Sequence, residues 1–304
     1  MQLVQTGKQK VWGWPAVANF TLGGAATGFY LLGSVIVSLQ DSALAGSPPF
    51  AFKLLAPLLI ALGFLALTIE AGRPLRGHHL FRHISGSWIS LECLAGAIFV
   101  PAAVIDWLFP HPVVWILAAV AAMALMISQG FIVYRARAVS AWNVPLMPLL
   151  FVTSGFSKGS GLVLLSVVLD DSAVGHPCAM IGLICVLLNL SVWFLYLSWS
   201  REATFREAIE ALRRPNALIF TVGLGHLLPG ILLLVILVAP GIGIDTGTGL
   251  WHTVVALAGV TMVAGGMSQK AGIILGAGYL RGIVLERSKG DARAANPAFP
   301  KVLC

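Results

Sequence analysis

The sequence is dominated by long apolar runs, each of about the length that crosses a lipid bilayer. Hydrophobic residues make up 58% of the 304 residues and charged residues 10%, whereas a soluble domain carries about 25% charged residues. A hydrocarbon core about 30 Å thick requires about 20 apolar residues in each spanning helix. Eight runs of this length lie near 15–38, 51–70, 88–109, 112–134, 145–169, 175–199, 216–239 and 250–285.

These runs do not alternate apolar and polar residues, so they predict helices and not the strands of a membrane barrel. The predicted fold class is therefore all-α: a polytopic membrane protein with eight transmembrane helices in two four-helix bundles. The predicted division places helices 1–4 in residues 1–144, helices 5–8 in 145–287 and a cytoplasmic tail in 288–304. Because the connections are short, we expect any catalytic domain outside the membrane to belong to another chain.

The charges indicate which loops face the cytoplasm. Most Lys and Arg residues lie in the N-terminus, in the loops near 71–87, 135–144 and 200–215, and in the C-terminal segment. The opposite connections contain aspartates and only one Lys or Arg, Lys53. Because cytoplasmic segments carry an excess of Lys and Arg, we expect both termini in the cytoplasm. The net charge of +7 is therefore a sign of membrane topology and implies no nucleic-acid partner.

The histidines and cysteines do not form a ligand set for a metal cofactor. A bis-histidine haem needs two ligands at matching depth, and His226 lies near the middle of its helix. The other histidines lie at the outer helix ends or in the inner loop: His111, His176, His252, His78, His79 and His83. The cysteines form no C-x-x-C pair and match no iron–sulfur ligand set: Cys93, Cys178, Cys185 and Cys304. We therefore expect no haem, no iron–sulfur cluster and no other metal in this chain.

Among the ionisable residues within or at the ends of the apolar runs, five are functional candidates, because a charge there is costly and a functional role is the default hypothesis. Glu70 closes the second helix, and Glu92 lies about one turn inside the third, where we expect a role in proton handling. Lys158 lies about 12 residues into the fifth helix, so roughly 18 Å deep at 1.5 Å per residue. Together with His226, at a similar depth, and Lys270, it forms a candidate intramembrane polar path.

Each of these residues also has a structural interpretation. Glu70 can form a salt bridge at a helix end, and Lys270 can extend its side chain to the interface. Lys158 can be neutralised by a partner, with neighbouring glycines that allow close helix approach. His226 can be a hydrogen-bonded core histidine. Both interpretations therefore stay open for these four residues.

A short basic loop joins the second and third helices, with an acid at each end. In "TIEAGRPLRGHHLFRHISGSWISLE" (68–92), Glu70 and Glu92 flank a set of cations that includes Arg82. Trp88 lies one turn before Glu92 on the same helix face. A carboxylate near the interface can exchange protons, and a fixed arginine can stabilise negative charge on a substrate. We therefore expect Glu70, Arg82 and Glu92 to line one mouth, with Trp88 beside them.

Three stretches together resemble the membrane anchor of the dimethyl sulfoxide reductase family. The stretch "IEAGRPLRGHHLFRHISGSWISLECLAG" (69–96) is similar to the helix 2–3 region of these DmsC-like anchors, which belong to the wider NrfD/polysulfide-reductase anchor group. The stretch "YRARAVSAWNVPLMPLLFVTSG" (134–155) resembles their helix 4–5 segment. The start "WGWPAVANFTLGGAATG" (12–28) resembles their first helix. Eight helices also agree with the architecture of that family.

The resemblance implies a quinone-reactive anchor in the bacterial cytoplasmic (inner) membrane, serving electron transport in anaerobic respiration. It implies an iron–sulfur subunit and a molybdopterin catalytic subunit as partners, and ubiquinone or menaquinone as substrate. A carboxylate at the position of Glu92 and an arginine near Arg82 are associated with quinol binding in that family. A third family position, usually histidine, falls on Glu70, so the role of Glu70 stays open. The resemblance thus places the quinone site among helices 1–4.

A proton-coupled secondary transporter is the alternative function, with Lys158, His226 and Glu92 along a substrate or proton path. Transporters often contain paired broken helices at matching places in two halves. The stretch "GLGHLLPG" (223–230) is one candidate break, but helices 1–4 contain no obvious twin. A haem-containing quinol oxidase subunit is disfavoured by the histidine depths. We expect an anchor to co-purify with its partner subunits, whereas a transporter would be isolated alone.

Overall fold

The computed structural model describes residues 2–3, 7–39, 50–70, 86–169, 176–242, 249–280 and 284–285. The long helices of the first part are α1 (Trp14–Leu39), α2 (Phe50–Glu70), α3 (Trp88–Leu108), α4 (Pro112–Arg135), α5 (Met147–Leu169) and α6 (His176–Leu197). Three short helices follow, α7 (Ala203–Ala208), α8 (Glu210–Arg213) and α9 (Pro215–Leu218). The last two helices are α10 (Leu228–Val238) and α11 (Gly249–Ala271). Each predicted apolar run therefore contains a helix.

Among the described residues, six helical segments are long and apolar enough to cross a membrane, not the eight predicted. They are Trp88–Leu108, Pro112–Arg135, Met147–Leu169, Pro177–Leu197, Pro215–Val238 and Gly249–Gly276. Helix α1 has 26 residues but is not one of these six segments. The described apolar part of α2, Leu54–Ile69, is shorter than a full crossing. The prediction of a helical, multi-pass membrane protein is confirmed, while the count of eight is not.

A two-stranded sheet is the one departure from an all-helical architecture in the described part of the chain. Strand β1 (Gln2–Leu3) pairs antiparallel with β2 (Val284–Leu285). The predicted eighth helix, 250–285, is too long, because a π-helical segment ends the last helix at Gly276. The glycines around this point favour a helix end. The chain then turns back along the N-terminal segment, where Gln9 N donates to Gly278 O at 2.8 Å.

Helix α5 contacts helices from both halves of the chain. It packs against α1 and α4 from the first half and against α6 and α11 from the second. The approach to α1 is a contact of backbone on backbone, since a methyl group added at Gly28 would lie 2.8 Å from the carbonyl carbon of Gly155. Small residues permit this close packing in membranes. The division into two bundles at residue 144 stays a prediction.

The seventh crossing is built from three helical types. Helix α9 runs into a π-helical segment over Ile219–Leu227, which leads into α10 and then a 3₁₀ turn over Ala239–Ile242. Pro229 follows the π-helical segment and has no N–H for the carbonyl of Gly225 four residues earlier, which disfavours regular α-helix here. A π-helical stretch inside a helix often marks a functional position. His226 lies in this segment, which contains the candidate break seen in the sequence.

One end of the bundle contains the start of α1, the end of α4 and the short helices α7–α9, and is called the basic end below. The loop between α4 and α5 is fixed there by hydrogen bonds to α6 and to the π-helical end of the last helix. Tyr196 Oη donates to Ala141 O at 3.0 Å, and Trp142 Nε1 donates to Ile273 O at 2.8 Å. The Arg213 guanidinium donates to Leu197 O and so satisfies a carbonyl at the end of α6. The N-terminal segment, this loop and the end of the last helix therefore meet at the basic end.

Candidate functional site

Glu92 lies in a buried cluster with two amide side chains from neighbouring helices, Asn19 on α1 and Gln129 on α4. The Glu92 side chain is 1% exposed. Asn19 Nδ2 donates to Glu92 Oε1 at 2.9 Å, and Gln129 Nε2 donates to the same oxygen at 3.0 Å. Among the described residues, none donates a hydrogen bond to Glu92 Oε2. The two amides of this Glu92 cluster therefore fix one carboxylate oxygen and leave the other without a described donor.

Local sequence explains why these three side chains converge. Ser87 is the N-cap of α3, where its hydroxyl accepts a hydrogen bond from Ser90 N, so that Glu92 lies about one turn inside the helix. Glycines on the facing helices leave room for the amides. A methyl group added at Gly63 of α2 would lie only 3.0 Å from Asn19 Oδ1. The cluster is thus enclosed by backbone on the α2 side as well.

A cavity of about 560 Å³ lies between the start of α3 and the end of α4. Its lining residues are Trp12, Gly86, Ser87, Trp88, Ile89, Leu91, Ile132, Arg135 and Ala136. The volume is in the range of about 300–1,000 Å³ found for sites of small organic ligands. Leu91 directly precedes Glu92, and Ile132 lies three residues after Gln129. The cavity is therefore about one helical turn from the Glu92 cluster, toward the basic end.

Aromatic side chains stabilise two walls of this cavity. The Trp88 ring stacks on Phe131 at 4.2 Å between centroids with 9° between planes. Trp12, which also lines the cavity, stacks on Trp142 at 4.9 Å between centroids with 16° between planes. Arg135, in the last turn of α4, adds an exposed cation to the lining. Flat aromatic walls, apolar side chains and one cation suit a planar ring that carries polar oxygens.

The predicted site residues fall into three groups. Glu92 and Trp88 lie together, Trp88 in the cavity wall and Glu92 one turn beyond it. Arg82 lies outside the described residues, so the prediction for it is untested. The described part of α2 ends at Glu70, but the position of the Glu70 side chain is also outside what the structure describes. The role of these residues in quinone binding stays a prediction.

Three residues of the site, Asn19, Gln129 and Arg135, were not predicted from the sequence, because only ionisable groups inside the apolar runs were taken as candidates. Asn19 and Gln129 are uncharged amides, yet an amide within an apolar run also needs a buried partner. That requirement is the signal that could have identified them. Arg135 was grouped with the cytoplasmic charges, and only the tertiary structure places it in the cavity lining.

Lys158 and Lys270 lie in the interior on facing helices. Lys158 on α5 is 0% exposed, and its Nζ donates to Ser154 Oγ at 2.9 Å. Lys270 on α11 is 1% exposed, and its Nζ lies 3.0 Å from the ring centroid of Phe151, also on α5. Lys270 Nζ has no hydrogen-bond partner among the described residues. Lys270 therefore does not extend to the interface, and a cation–π contact is its observed partner.

His226 lies apart from these lysines, in a separate hydrogen-bonded group. Its Nδ1 is 2.6 Å from Thr221 O, and its Nε2 is 2.9 Å from Asn189 Nδ2. Because a carbonyl only accepts, Nδ1 carries the hydrogen and Nε2 accepts from Asn189, which makes the ring neutral. Thr153 Oγ1 of α5 in turn donates to Asn189 Oδ1 at 3.3 Å. This arrangement is that of a satisfied core histidine, and it links the π-helical segment to α5.

A second buried acid lies toward the other end of the bundle. Asp106, near the end of α3, is 2% exposed, and its Oδ2 accepts a hydrogen bond from Tyr30 Oη at 3.0 Å. From the sequence, Asp106 was one of the aspartates expected at the side opposite the basic loops. It lies about four turns along α3 from Glu92, too far to share a site with it. Asp106 therefore fixes α1 to α3 near the end opposite the cavity.

The fold and the site together define a multi-pass helical membrane protein with a buried carboxylate beside an aromatic-walled cavity. The chain belongs to the family described as polysulphide reductase, NrfD, whose family profile matches residues 2–281. Members of that family are membrane subunits of oxidoreductase complexes that interact with quinone. The predicted membership in the NrfD/polysulfide-reductase group is thereby confirmed. No curated protein sequence matches the chain.

Proposed function

We propose that this chain is the quinone-reactive membrane anchor of an oxidoreductase complex, with its quinone site in the cavity beside Glu92. The observation that carries the proposal is the position of the Glu92 cluster, which holds a carboxylate about one turn beyond an aromatic-walled cavity. Membership in a family of quinone-interacting membrane subunits supports it. The substrate is ubiquinone or menaquinone, and the isoprenoid tail enters from lipid between the apolar helices.

The residues of the site have separate tasks in this proposal. Trp88 and Trp12 hold the ring of the quinone between them, and Arg135 stabilises negative charge on its oxygens. Oxidation of a quinol releases two electrons and two protons, and reduction of a quinone takes them up. Glu92 Oε2 relays these two protons one at a time, while its Oε1 is held by the two amides. The electrons pass to or from a partner chain.

The proposed partners are an iron–sulfur electron-transfer subunit and a molybdopterin catalytic subunit. Members of the family typically assemble with subunits of these two kinds. We propose that this chain itself carries no haem and no iron–sulfur cluster, and that it belongs to the DmsC-like subgroup of the bacterial inner membrane. Arg82 stabilises negative charge on the quinone together with Arg135. The other cations of its loop contribute to docking of the iron–sulfur subunit, together with exposed arginines such as Arg206 on α7.

Photolabelling of the purified complex tests the quinone site. We expect a photoreactive quinone to label peptides that contain residues 86–92 and 132–136, and excess unlabelled quinone to remove the labelling. Labelling elsewhere, with none in these peptides, would place the site in another part of the complex.

Isolation from native membranes distinguishes a quinone-reactive anchor from a proton-coupled transporter. The anchor should be isolated together with its partner subunits, whereas the transporter should be isolated alone.

A further inference from the structure

The indole of Trp12, which lines the cavity, is one member of a stacked pair. Trp142 covers one face of it, with 4.9 Å between centroids and 16° between planes, and Phe20 makes an edge contact at 5.8 Å. Trp12 lies in the short segment between Lys10 and the start of α1 at Trp14, which belongs to no helix or strand. Contacts made by this segment therefore determine where the Trp12 ring lies.

The side chain of Gln9 makes four hydrogen bonds, three of them to the turn that carries Trp12. Its Oε1 accepts from Val11 N at 2.9 Å and from Trp12 N at 2.8 Å. Its Nε2 donates to Trp12 O at 2.8 Å and to Ile274 O at 3.3 Å. The Gln9 amide therefore holds both the N–H and the carbonyl of Trp12 and ties them to the other end of the chain.

Ile274 lies in the π-helical segment that follows α11, at a helix end where the last carbonyls have no partner within the helix. Trp142 Nε1 donates to Ile273 O at 2.8 Å, and Gln9 Nε2 donates to the next carbonyl, Ile274 O. Both isoleucines are 0% exposed, and a buried carbonyl needs a donor. The two stacked indoles are therefore tied to consecutive carbonyls of one helix end, Trp142 directly and Trp12 through Gln9.

The segment before the Trp12 turn is attached to the same region by its backbone. Gln9 N donates to Gly278 O at 2.8 Å. Leu280 N donates to Gly7 O at 3.3 Å. Neither contact uses the Gln9 side chain. Loss of the side-chain amide should therefore leave the N-terminal segment in place and release only the turn that carries Trp12.

We propose that Gln9 is a positioning residue of the quinone site, which holds the Trp12 ring in the cavity wall by fastening it to the end of the last helix. The inference rests on the proposed function, because the ligand that Trp12 holds is the quinone ring. None of the described lining residues belongs to α11 or to its π-helical end. The second half of the chain therefore contributes to this cavity through Gln9 and the two stacked indoles.

The position of Trp12 should affect binding of the quinone and not the proton step. An aromatic wall contacts the ring equally in the ground state and the transition state, and loss of such an interaction raises KM and leaves kcat unchanged. The hydrogen bonds of Glu92 come from Asn19 and Gln129 and do not involve the segment that carries Trp12. A defect at Gln9 is therefore distinguishable from a defect at Glu92.

Two substitutions remove the contact between Gln9 and Ile274 from opposite sides. Gln9→Met keeps an unbranched side chain of similar length and loses all of its hydrogen bonds. Gly278→Ala displaces the Gln9 side chain, because its methyl group would lie 3.0 Å from Gln9 Cγ and 2.7 Å from Ile274 O. Val11→Met, at a side chain that is 75% exposed, is the control for Gln9→Met. Gly276→Ala is the control for Gly278→Ala, because its methyl group would make only ordinary contacts, at 3.8 Å.

The first readout is steady-state kinetics of the purified complex with a short-chain quinol. We expect Gln9→Met and Gly278→Ala to raise KM by about threefold to tenfold, the size of one aromatic contact, with kcat unchanged. Trp12→Ala should raise KM at least as much, and Gln9→Met added to Trp12→Ala should cause no further increase, because the two residues act as a unit. An unchanged KM in Gln9→Met, a fall in kcat alone, or additive increases in the double variant would overturn the inference.

The second readout distinguishes failure of the inference from failure of the proposed function. A photoreactive quinone should label the peptide that contains Trp12 together with the peptide 86–92, and Gln9→Met should lower the labelling of the Trp12 peptide relative to the other. An unchanged ratio in Gln9→Met would overturn the role of Gln9 and leave the quinone site intact. No labelling of either peptide in the unmodified complex would instead overturn the proposed function.

Hydrogen exchange of the backbone amides in residues 10–13 tests the hold of Gln9 on this turn without any quinone. We expect exchange to become faster in Gln9→Met, because the N–H groups of Val11 and Trp12 lose their acceptor. Exchange in Val11→Met should match the unmodified protein. Equal exchange in Gln9→Met and Val11→Met would overturn the inference, whatever the complex does with quinone.

Discussion

Gln129 on α4 donates a hydrogen bond to Glu92 on α3 at 3.0 Å, in a cluster that also contains an amide from α1. Helices α3 and α4 are joined by a tight turn at the opposite end of the bundle, between Leu108 and Pro112. The cavity lies where the two helices are not joined, next to this hydrogen bond. The hydrogen bond between Gln129 and Glu92 therefore connects α4 to α3 beside the cavity. It also fixes the orientation of the Glu92 carboxylate.

Replacing the Glu92 carboxylate by an amide should distinguish a role of Glu92 in proton exchange from a role in packing. Glu92→Gln keeps the size of the side chain, and Asn19 and Gln129 can still donate to its oxygen. We expect quinol-linked turnover to fall by about 10²- to 10⁴-fold, the usual contribution of a general acid or base, while activity with an artificial dye survives. Glu210→Gln, at an exposed position of α8, is the matched control and should leave both activities unchanged. Equal loss in both assays would mean that Glu92 is structural.

Arginine substitutions should distinguish the cavity from its surroundings. Arg135 lines the cavity, whereas Arg137, two residues later and also exposed, is not among the lining residues. We expect Arg135→Ala to weaken the affinity of a quinone-site inhibitor by about tenfold, the size of a charge-assisted hydrogen bond. Arg137→Ala should leave the affinity unchanged, and Arg82→Ala should lower it without dissociating the complex. Inhibitor titrations on membranes give all three values, and identical curves for Arg135→Ala and Arg137→Ala would remove Arg135 from the site.

Glu70 occupies a position that is usually histidine in the DmsC-like anchors. Carboxylate and imidazole both relay protons, although their ordinary pKa values differ by about two units. We therefore expect Glu70→His to assemble and to retain quinol-linked turnover. Turnover at several pH values would show whether the substituted group takes part. A complex that assembles but has no activity would contradict the alignment of Glu70 with that family position.

The helix positions could be predicted from the sequence because each apolar run has the length that lipid requires. The partners of Glu92 could not, because Asn19 and Gln129 lie far from it along the chain and amides were not distinguished from the apolar background. The break near His226 was visible as "GLGHLLPG", but the close packing of Gly225 against α11, where a methyl group would lie 2.7 Å from Gly265 Cα, was not. Close approach of two backbones is a tertiary property, and the sequence indicates only that glycine permits it.

The glycine contact between α1 and α5 should be the most sensitive point of the packing. The methyl group of Gly28→Ala would lie 2.8 Å from the carbonyl carbon of Gly155 and 3.2 Å from Phe156 Cα, and backbone atoms cannot move aside as a side chain can. Overpacking of this kind costs about 1–3 kcal/mol. We expect a lower melting temperature for Gly28→Ala in detergent, whereas Gly230→Ala on α10, with open space around it, should melt like the unmodified protein. Equal melting temperatures for Gly28→Ala and the unmodified protein would mean that α1 and α5 can move apart without loss of stability.

The cavity and the exposed arginines share one end of the bundle, which predicts on which side of the membrane the partner binds. Described Lys and Arg residues at the basic end are Lys8, Lys10, Arg135, Arg137, Arg201, Arg206, Arg213 and Arg214. An excess of Lys and Arg marks the cytoplasmic side, where anionic lipid adds to the attraction. Electrons have to pass from the cavity to a nearby cluster, so we expect the iron–sulfur subunit to dock on the cytoplasmic face.

Two measurements on intact cells and vesicles check this orientation. A reporter that is active only in the cytoplasm, fused after Cys304, should be active, and one that requires export should not. Protease added outside right-side-out vesicles should leave the iron–sulfur subunit intact and should digest it once the vesicles are opened. Many relatives are expected to carry their catalytic subunits outside the membrane. The protease test therefore distinguishes a cytoplasmic iron–sulfur subunit from an external one. Digestion of the iron–sulfur subunit in sealed vesicles, with the C-terminal reporter active inside, would place the partner at the end of the bundle opposite the cavity and contradict the prediction.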